Sequence, residues 1–490
     1  MSPWDFIQSC LKPFRRIYTD NRTFFWFVIA VMGLLLRTDT LGVTSIVRAF
    51  MLPACTYNCL CNFFHACGDA TQTDRLRRIS EPQRTWAEVI ASKMADHLTR
   101  INGRIVFLGD HTKTPKEGHH MPGVKKLTQE SQTQSKPDKI HGQMWGSVCV
   151  LVGKLAEKLY GIGLSMRIHD GLQATATWKG GEAEQADSAV VRIINDFFRA
   201  LAAFSDPAYL VLDRAFLTVT VLQALQQQIE LTGKVADIIT RVKSNCVAYY
   251  TEIAQPPRGR KRKRGQAVHP FDLFTKEASE FVKGTAYMYG KQKEIEYYSI
   301  ELLWGRGEYR RLQFVLVKYG DSRLVLVTTD LTMPPLSVIE AYGARYKIEV
   351  MFKTLKMHFG IFTSHFWSTA LEKLNHFKKK EDLSNLEKVT DERARANILK
   401  TIYATELYAT LCMMVCGLVQ MIAVLKLFDA RKFRYLRTYS NAMPSEETLL
   451  IYLRSNFWQI KEPCEATEIR TYIKHAREKS QKGKATDWAA

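Results

Sequence analysis

An α/β core flanked by helical regions is the fold this sequence predicts, and three observations carry the prediction. Two four-residue apolar runs, Ile105–Leu108 and Tyr209–Leu212, each lead into an aspartate. Strand-like and helix-like stretches alternate from Arg104 to Val242, the pattern of an α/β sheet. The segments before and after this region carry helical periodicity instead. The chain has 490 residues, enough for more than one domain.

Residues 1–95 read as a helical N-terminal domain. Phe24 to Leu36 is almost wholly apolar, but it is only about half the length that a membrane crossing needs. Charged residues flank it and no small-residue cleavage site follows, so a buried helix is expected rather than a signal peptide. Thr44–Phe50 and Thr56–Ala66 are short amphipathic runs separated by a segment containing Pro53. That layout suggests a helix-turn-helix, with Thr56, Asn58 and Asn62 facing away from Tyr57, Leu60, Phe63 and Phe64. A plain helical hairpin fits the same pattern.

Residues 96–243 and 321–375 are expected to form the α/β core. Strands are predicted at 105–108, 146–153, 164–168, 209–212, 236–242 and 324–330. Helices are predicted at 188–204, 216–231 and 335–357. Residues 244–320 interrupt the alternation and read as a β-rich insertion, with strands at 297–304 and 309–318. The insertion includes a basic run, Arg258 to Arg264, expected to be a flexible loop. Residues 376–490 are expected to be a helical C-terminal region suited to dimerisation. It comprises a charged helix over 378–395, an apolar helix over 398–425 and a frayed tail from His475. There is no internal repeat.

Charge narrows the partners. Lys and Arg number 69 against 49 Asp and Glu, a net charge of +20. Such a surface attracts polyanions, nucleic acid before anionic membrane. The ten cysteines are scattered. Cys55, Cys59, Cys61 and Cys67 cluster, but without a CxxC pair and on a helical segment, which argues for core thiols over zinc. A reducing, cytoplasmic compartment is expected, nucleoid-associated if the source is prokaryotic.

Chemistry concentrates in three carboxylates. Asp110 and Asp213 each follow an apolar strand, and strand ends are where an α/β sheet can place side chains beside one another. Either alone reads equally well as a turn cap. The third, Glu349, lies in Tyr342-Gly343-Ala344-Arg345-Tyr346-Lys347-Ile348-Glu349, continuing through Lys353 to Lys356. On one helix, Tyr342, Arg345, Glu349 and Lys356 share a face, while Ile348, Met351, Phe352 and Leu355 lie opposite. Three oxygen donors suit Mg²⁺, with Mn²⁺ able to substitute.

This segment resembles the Tyr-x2-Arg-x3-Glu-x6-Lys signature of D-D-E transposases of the insertion-sequence-4 type. The interval from Asp213 to Glu349 is long enough for the β-rich insertion that such transposases carry. Leu108 to Lys113, Val211 to Arg214 and His365-Phe366-Trp367 are also similar. The resemblance spans about residues 100 to 370 and leaves the N-terminal helices without a clear match. It implies an RNase H-like core with Asp110, Asp213 and Glu349 as catalytic metal ligands. It also implies contacts from Tyr342, Arg345, Lys356 and neighbouring Lys353 to transposon-end DNA, and a homodimer on paired DNA ends. The implied reaction is cut-and-paste transposition, with metal-dependent cleavage of the terminal inverted repeats and joining of 3′ ends to target DNA. Trp304, beside Gly305-Arg306-Gly307, is a candidate to hold a flipped base with Arg306 on phosphate. Arg260, Lys261, Arg262, Lys263 and Arg264 are candidates for non-specific DNA contact. A catalytically silent DNA-binding relative and a membrane-associated basic protein are the other classes considered. The intact triad argues against the first, and the α/β alternation against the second, for which no membrane is expected.

Overall fold

The computed structural model describes residues 1–18, 20–66, 72–129, 138–378, 383–429, 443–457 and 467–482. It is a mixed α/β protein with one large mixed sheet and helical ends.

The N-terminal helices are α1 (Pro3–Leu11), α2 (Asn21–Leu36), α3 (Thr44–Ala49), α4 (Cys55–His65) and α5 (Gln72–Lys93). Asp20 caps α2 by accepting from the Thr23 amide, 2.9 Å, and the helix is buried from Val28 through Leu36. On α4, Leu60, Phe63 and Phe64 face inward as expected, and Asn58 and Asn62 are exposed. Thr56 and Tyr57 exchange their expected places: Thr56 is buried and Tyr57 is 41% exposed. The Thr56 hydroxyl turns back onto the Pro53 carbonyl, 2.5 Å, which draws this residue into the turn. Cys67 lies outside the described residues.

The core sheet begins with β1 (Arg100–Ile101), β2 (Arg104–Pro115), β3 (Lys125–Thr128), β4 (Lys139–Val152) and β5 (Tyr160–Ile168). Then come α6 (Ala189–Leu201), β6 (Ala208–Val211), α7 (Val219–Thr232) and β7 (Ala236–Arg241). Strands β5, β4 and β2 are antiparallel neighbours, whereas β2, β6 and β7 run parallel. Helix α6 covers β2 closely. A Cβ at Gly109 would lie 2.8 Å from both Ile193 and Leu212 side chains, so the residue before Asp110 must be small.

The insertion does not interrupt the sheet; it lengthens it. Strands β8 (Ala248–Tyr250) and β9 (Ala267–Val268) lead to the short helix α8 (Leu273–Lys276), then β10 (Val282–Met288), β11 (Lys291–Trp304), β12 (Arg310–Tyr319) and β13 (Ser322–Thr328). Strand β13 joins β7, and β12, β11, β8 and β9 follow in order. Alternation along β12 and β13 serves two cores at once. Val315, Val317, Leu324 and Leu326 belong to the large core, and Phe314, Leu316, Val325 and Val327 to a smaller one beside α7, β8 and α8.

Two expected helices take different forms. The predicted helix over 335–357 is two helices, α9 (Pro335–Gly343) and α10 (Tyr346–His358). The Gly343 carbonyl accepts from the Tyr289 amide, 3.4 Å, and the Lys347 amide bonds Ala344 instead, 3.0 Å, so the ladder breaks there. The predicted charged helix over 378–395 is also corrected. Residues 383–391 are loop with one 3₁₀ turn, and 379–382 lie outside the described residues. The helix α11 (Glu392–Val424) starts only where Asp391 caps it, accepting from the Ala394 amide at 2.7 Å.

Helix α11 is the one described helix long and apolar enough to cross a membrane, and its most apolar stretch is wholly covered by the rest of the protein. It packs on β5, α2, α4 and α5 and on α12 (Glu446–Phe457). The tail expected to fray from His475 is helical through Lys482, in α13 (Thr467–Lys482). Ile473 and Ala476 are buried, and Arg477 donates to the Phe50 carbonyl, 3.0 Å. The N- and C-terminal helices therefore share one core with the sheet. Buried Arg37, at the end of α2, ties them together by donating to the Tyr408 hydroxyl at 2.8 Å and to the Phe359 carbonyl just past α10.

Candidate active site

Strand register brings the two aspartates together. Leu108 on β2 pairs with Val211 on the parallel β6, so Asp110 and Asp213 each stand two residues further along. Asp110 stays within β2, opposite Ser147 of β4. Asp213 lies just past β6, where its carbonyl accepts from the Thr240 hydroxyl of β7, 2.8 Å, and from the Phe216 amide, 3.0 Å.

Helix α10 supplies the third carboxylate. It packs on β2 and β5 through a buried apolar side that includes Ile348, Met351 and Leu355. Glu349 points the other way and its side chain is 58% exposed. Arg345, at the α9–α10 junction, bridges the two elements. It donates to Asp110 Oδ2 at 3.0 Å and to Glu349 Oε1. At the far end of α10, Lys356 Nζ donates to the Thr112 hydroxyl, 2.7 Å, and to the Lys113 carbonyl, 3.3 Å. The helix is thus pinned to β2 at both ends.

Electrostatics distinguish the carboxylates. Burial pushes the Asp110 carboxyl up to about 6 against the opposing pull of Arg345, and like charge from Asp213 adds to the rise. Tyr342 is nearly buried, and burial raises its phenol to about 12, with Arg345 opposing and Asp213 assisting. Asp110, Asp213, Tyr342 and Arg345 therefore influence one another directly, and Arg345 links Glu349 to them.

As donors, three carboxylates whose negative charge is answered by one guanidinium fit a divalent cation that prefers oxygen. Among the described residues no three His, Cys, Asp or Glu side chains converge closely enough to hold an ion. Arg345 stands between Asp110 and Glu349 and takes the hydrogen bonds that a cation would compete for.

The other candidates are placed elsewhere. Lys353 is exposed on α10. Trp304, at the end of β11, is half-buried in the smaller core, and its indole N–H donates to Cys246 Sγ, 3.2 Å. A Cβ at neighbouring Gly305 would meet Val219 of α7 at 3.2 Å, so this glycine faces the protein's own helix; Arg306 is exposed. The basic run lies between β8 and β9, six strand steps from β2, or about 30 Å along the sheet. Arg260, Lys261, Arg262, Lys263 and Arg264 are exposed there. The run was expected to be a flexible loop, but it is held. Gln255 bonds both the carbonyl and the amide of Arg262, 2.9 Å each, and Arg264 lies over the rings of Tyr249 and Tyr309.

Sequence reasoning missed a buried polar network beneath the site. His111 follows Asp110 on β2 and faces the opposite side. Its ring stacks on Phe216 and its Nε2 lies 3.2 Å from His169 Nδ1. His169 Nε2 donates to Asp196 Oδ2, 2.9 Å. A carboxylate only accepts, so His169 Nδ1 is left to accept from His111. Burial pushes both imidazoles down, to about 3 for His111 and about 4 for His169. Asp196 also meets Arg199 and Arg167, and Arg167 meets Glu182, all with Arg167 and Asp196 fully enclosed. Gly146, opposite His111 in register, leaves room for the His169 ring, since a Cβ there would collide with it. The available signal was Arg192, Asp196 and Arg199 at helical spacing on a helix that is apolar apart from these and Asn195.

Residues 180–373 match the family model described as "Transposase DDE domain". The match takes in Asp213, Tyr342, Arg345, Glu349 and Lys356, and begins after Asp110. It supports a DDE transposase, and a transposase acts on DNA. Comparison with curated proteins and with solved structures gives no match.

Proposed function

We propose that this chain is a D-D-E transposase of the insertion-sequence-4 type, with Asp110, Asp213 and Glu349 as its catalytic carboxylates. The observation that carries the reading is the way the three elements bearing these carboxylates are linked. Two come from adjacent parallel strands in matching register, and the third from a helix tied to Asp110 through Arg345. The strand order β5-β4-β2-β6-β7, antiparallel then parallel, supports an RNase H-like core. The family match spans Asp213 and Glu349 and so is compatible with their assignment.

Asp110, Asp213 and Glu349 would hold Mg²⁺ or Mn²⁺, which when bound would supply Lewis acidity toward a phosphodiester and lower the pKa of a water. The chain's own residues do the rest. Arg345 bonds Asp110 and Glu349 in the cation-free site and, once displaced from them by a cation, presents its N–H groups to phosphate. Lys356 and Lys353 continue that positive line along α10. Tyr342, with its phenol neutral, donates a hydrogen bond without acting as a nucleophile. The buried His111–His169–Asp196 chain fixes the back of β2 and so the orientation of Asp110. The N-terminal helices are assigned to recognition of terminal inverted repeats. The C-terminal helices are assigned to pairing two subunits on two ends, and the basic loop to non-specific duplex contact.

The test is incubation with the element's own ends and Mg²⁺, with products resolved on denaturing gels. Strand cleavage and end joining are expected, and Asp110→Asn, Asp213→Asn and Glu349→Gln should each abolish both while retaining end binding. End binding without cleavage by the wild type would favour the alternative, a catalytically silent DNA-binding protein of transposase origin.

A further inference from the structure

Three histidines meet where the chain leaving α10 crosses the end of β2. Just past that strand the Lys116 amide donates to the His141 carbonyl of β4, 2.9 Å. The loop 116–124 then runs to β3, whose Lys126 stands opposite His141. Residues 362–374 lie along this loop. Lys116 Nζ donates to the Phe362 and Ser364 carbonyls, 2.7 and 2.9 Å. Further on, the Ser368 amide donates to the His120 carbonyl, 3.1 Å, and the Leu374 amide to the His119 carbonyl, 2.7 Å. His120 Nδ1 donates to the Leu371 carbonyl, 2.7 Å. The seam is thus closed by single bonds between two irregular segments, over buried Leu371 and Leu374.

His376 sits at the outer end of that seam. Its ring centroid lies 5.1 Å from that of His119 and 4.7 Å from that of His141. Its Nε2 is buried and, among the described residues, has no hydrogen-bond partner. A neutral imidazole carries one bare nitrogen, whereas an imidazolium carries an N–H at both. Protonation would therefore bury a donor with no acceptor and set a charge against two more imidazoles. Burial first, then His141 and His119, hold the His376 imidazole below its ordinary value. Other charges on these elements are turned elsewhere. Glu117 acts on His365, Lys125 bonds Asp170, and Glu372 and Lys378 both bond Asn385. Lys126, Lys139 and Lys373 remain, and neither they nor a carboxylate is among the groups acting on His376. The three rings do not converge on one point, so the ligand this cluster fits is a proton, not a metal ion.

We propose that His376, packed against His119 and His141, is a proton-operated clasp that holds residues 368–378 on the loop after β2 when neutral and releases them when protonated. The inference stands apart from the reading of the carboxylate site. The sign follows from linkage. A group that is harder to protonate in the closed state favours closure above the ordinary imidazole value, about 6.5, and opposes it as pH falls below that value. Opening is local. Lys116, lowered by burial to about 8, is only more fully charged in acid, so its hold on Phe362 and Ser364 persists. What changes is the outer part of the α10–α11 connection, with its exposed Trp367 and Phe377.

Cleavage activity is a poor readout, because Asp110 titrates near pH 6 as well. Hydrogen exchange of the full chain is used instead, read at the Leu374 amide and corrected for the intrinsic pH dependence of exchange. Amides of β4 from Val148 to Val152 serve as the reference. Between pH 7.5 and pH 5.5 the protection of Leu374 should fall about fivefold in the wild type while the reference does not fall. His376→Gln and His376→Phe cannot take the charge and should show equal Leu374 protection at both pH values. An unchanged wild-type value, or an equal fall in both variants, overturns the proposal. Should both variants open the seam already at pH 7.5, histidine-labelled NMR of the wild type decides. The His376 ring must then protonate over the interval in which protection is lost, and protonation without that loss overturns the clasp.

Discussion

The two faces of strand β2 handle charge in opposite ways. On one face, Asp110 lies near Asp213, and Arg345 is the cation bonded to both Asp110 and the exposed Glu349. On the other, His111 leads through His169 to Asp196, where Arg167, Arg199 and Glu182 close a buried network. The enclosed network answers its charges internally and has little to offer a ligand. The open face leaves carboxylates in excess, and excess charge held in place by a rigid sheet is what a cation or a phosphate can use. The difference teaches that ionisable residues mark function by imbalance more than by number.

The largest expected effect lies in the enclosed network. Arg167→Met leaves Glu182 and Asp196 short of their partner inside the protein. It should cost about 3–5 kcal/mol, because breaking a buried pair strands the remaining charge. Urea unfolding of the variant measures this, and a loss below about 1 kcal/mol would make the two faces alike.

Gly343→Ala tests the join between the β10–β11 hairpin and the site. The added methyl meets backbone atoms of Tyr287 and Met288, so a cost of about 1–3 kcal/mol is expected from overpacking. DNA cleavage should fall further than stability alone explains, since α9, α10 and the hairpin tip would shift together. Unchanged thermal melting and cleavage would show the approach to be loose.

A pH effect sharpens the comparison further. Glu406 of α11 reaches the network and accepts from the Ile168 amide, 2.9 Å. Its second oxygen is buried without a hydrogen bond, and Arg167 Nε lies 3.9 Å away, beyond bonding reach. Burial therefore wins and raises the Glu406 carboxyl well above its ordinary value. The folded state holds this proton longer than the unfolded chain does. Stability is thus lost as pH rises from the ordinary carboxylate range through the folded value. Glu406→Gln removes that loss, so its melting temperature relative to wild type should climb between pH 5 and pH 8. A flat difference across this range would show that Glu406 is ionised throughout.

The smallest effect on stability belongs to the open face. Asp110→Asn relieves the cost of a buried charge but gives up a bond to Arg345, and the two nearly cancel. A change within about 1 kcal/mol is expected at neutral pH, together with complete loss of cleavage. A large destabilisation would mean that Asp110 is structural, as Asp196 is.

Much of this was legible in the sequence, for identifiable reasons. Runs such as Ile105–Leu108 and Tyr209–Leu212 are apolar throughout because central parallel strands are covered on both faces, and so they announced both the sheet and the aspartates behind them. Glu349 was legible through its spacing from Tyr342, Arg345 and Lys356. The break between α9 and α10 was not, because the Tyr289 amide that takes the Gly343 carbonyl comes from a distant segment. Nor was the buried network, since Arg167, Glu182 and Asp196 are residue types that ordinarily signal surface. Trp304 stood out by its flanking glycines, yet one of them serves packing against Val219.

The central claim is that Asp110, Asp213 and Glu349 form one divalent-cation site from which Arg345 is displaced. Mn²⁺ binding to the folded protein without DNA, followed by electron paramagnetic resonance near pH 7.5, tests it most directly. The account predicts saturable binding that is lost in Asp110→Asn, Asp213→Asn and Glu349→Gln, and tighter binding in Arg345→Ala, where the competing guanidinium is gone. Equal binding by the wild type and the three carboxylate variants, or none by any, would contradict it.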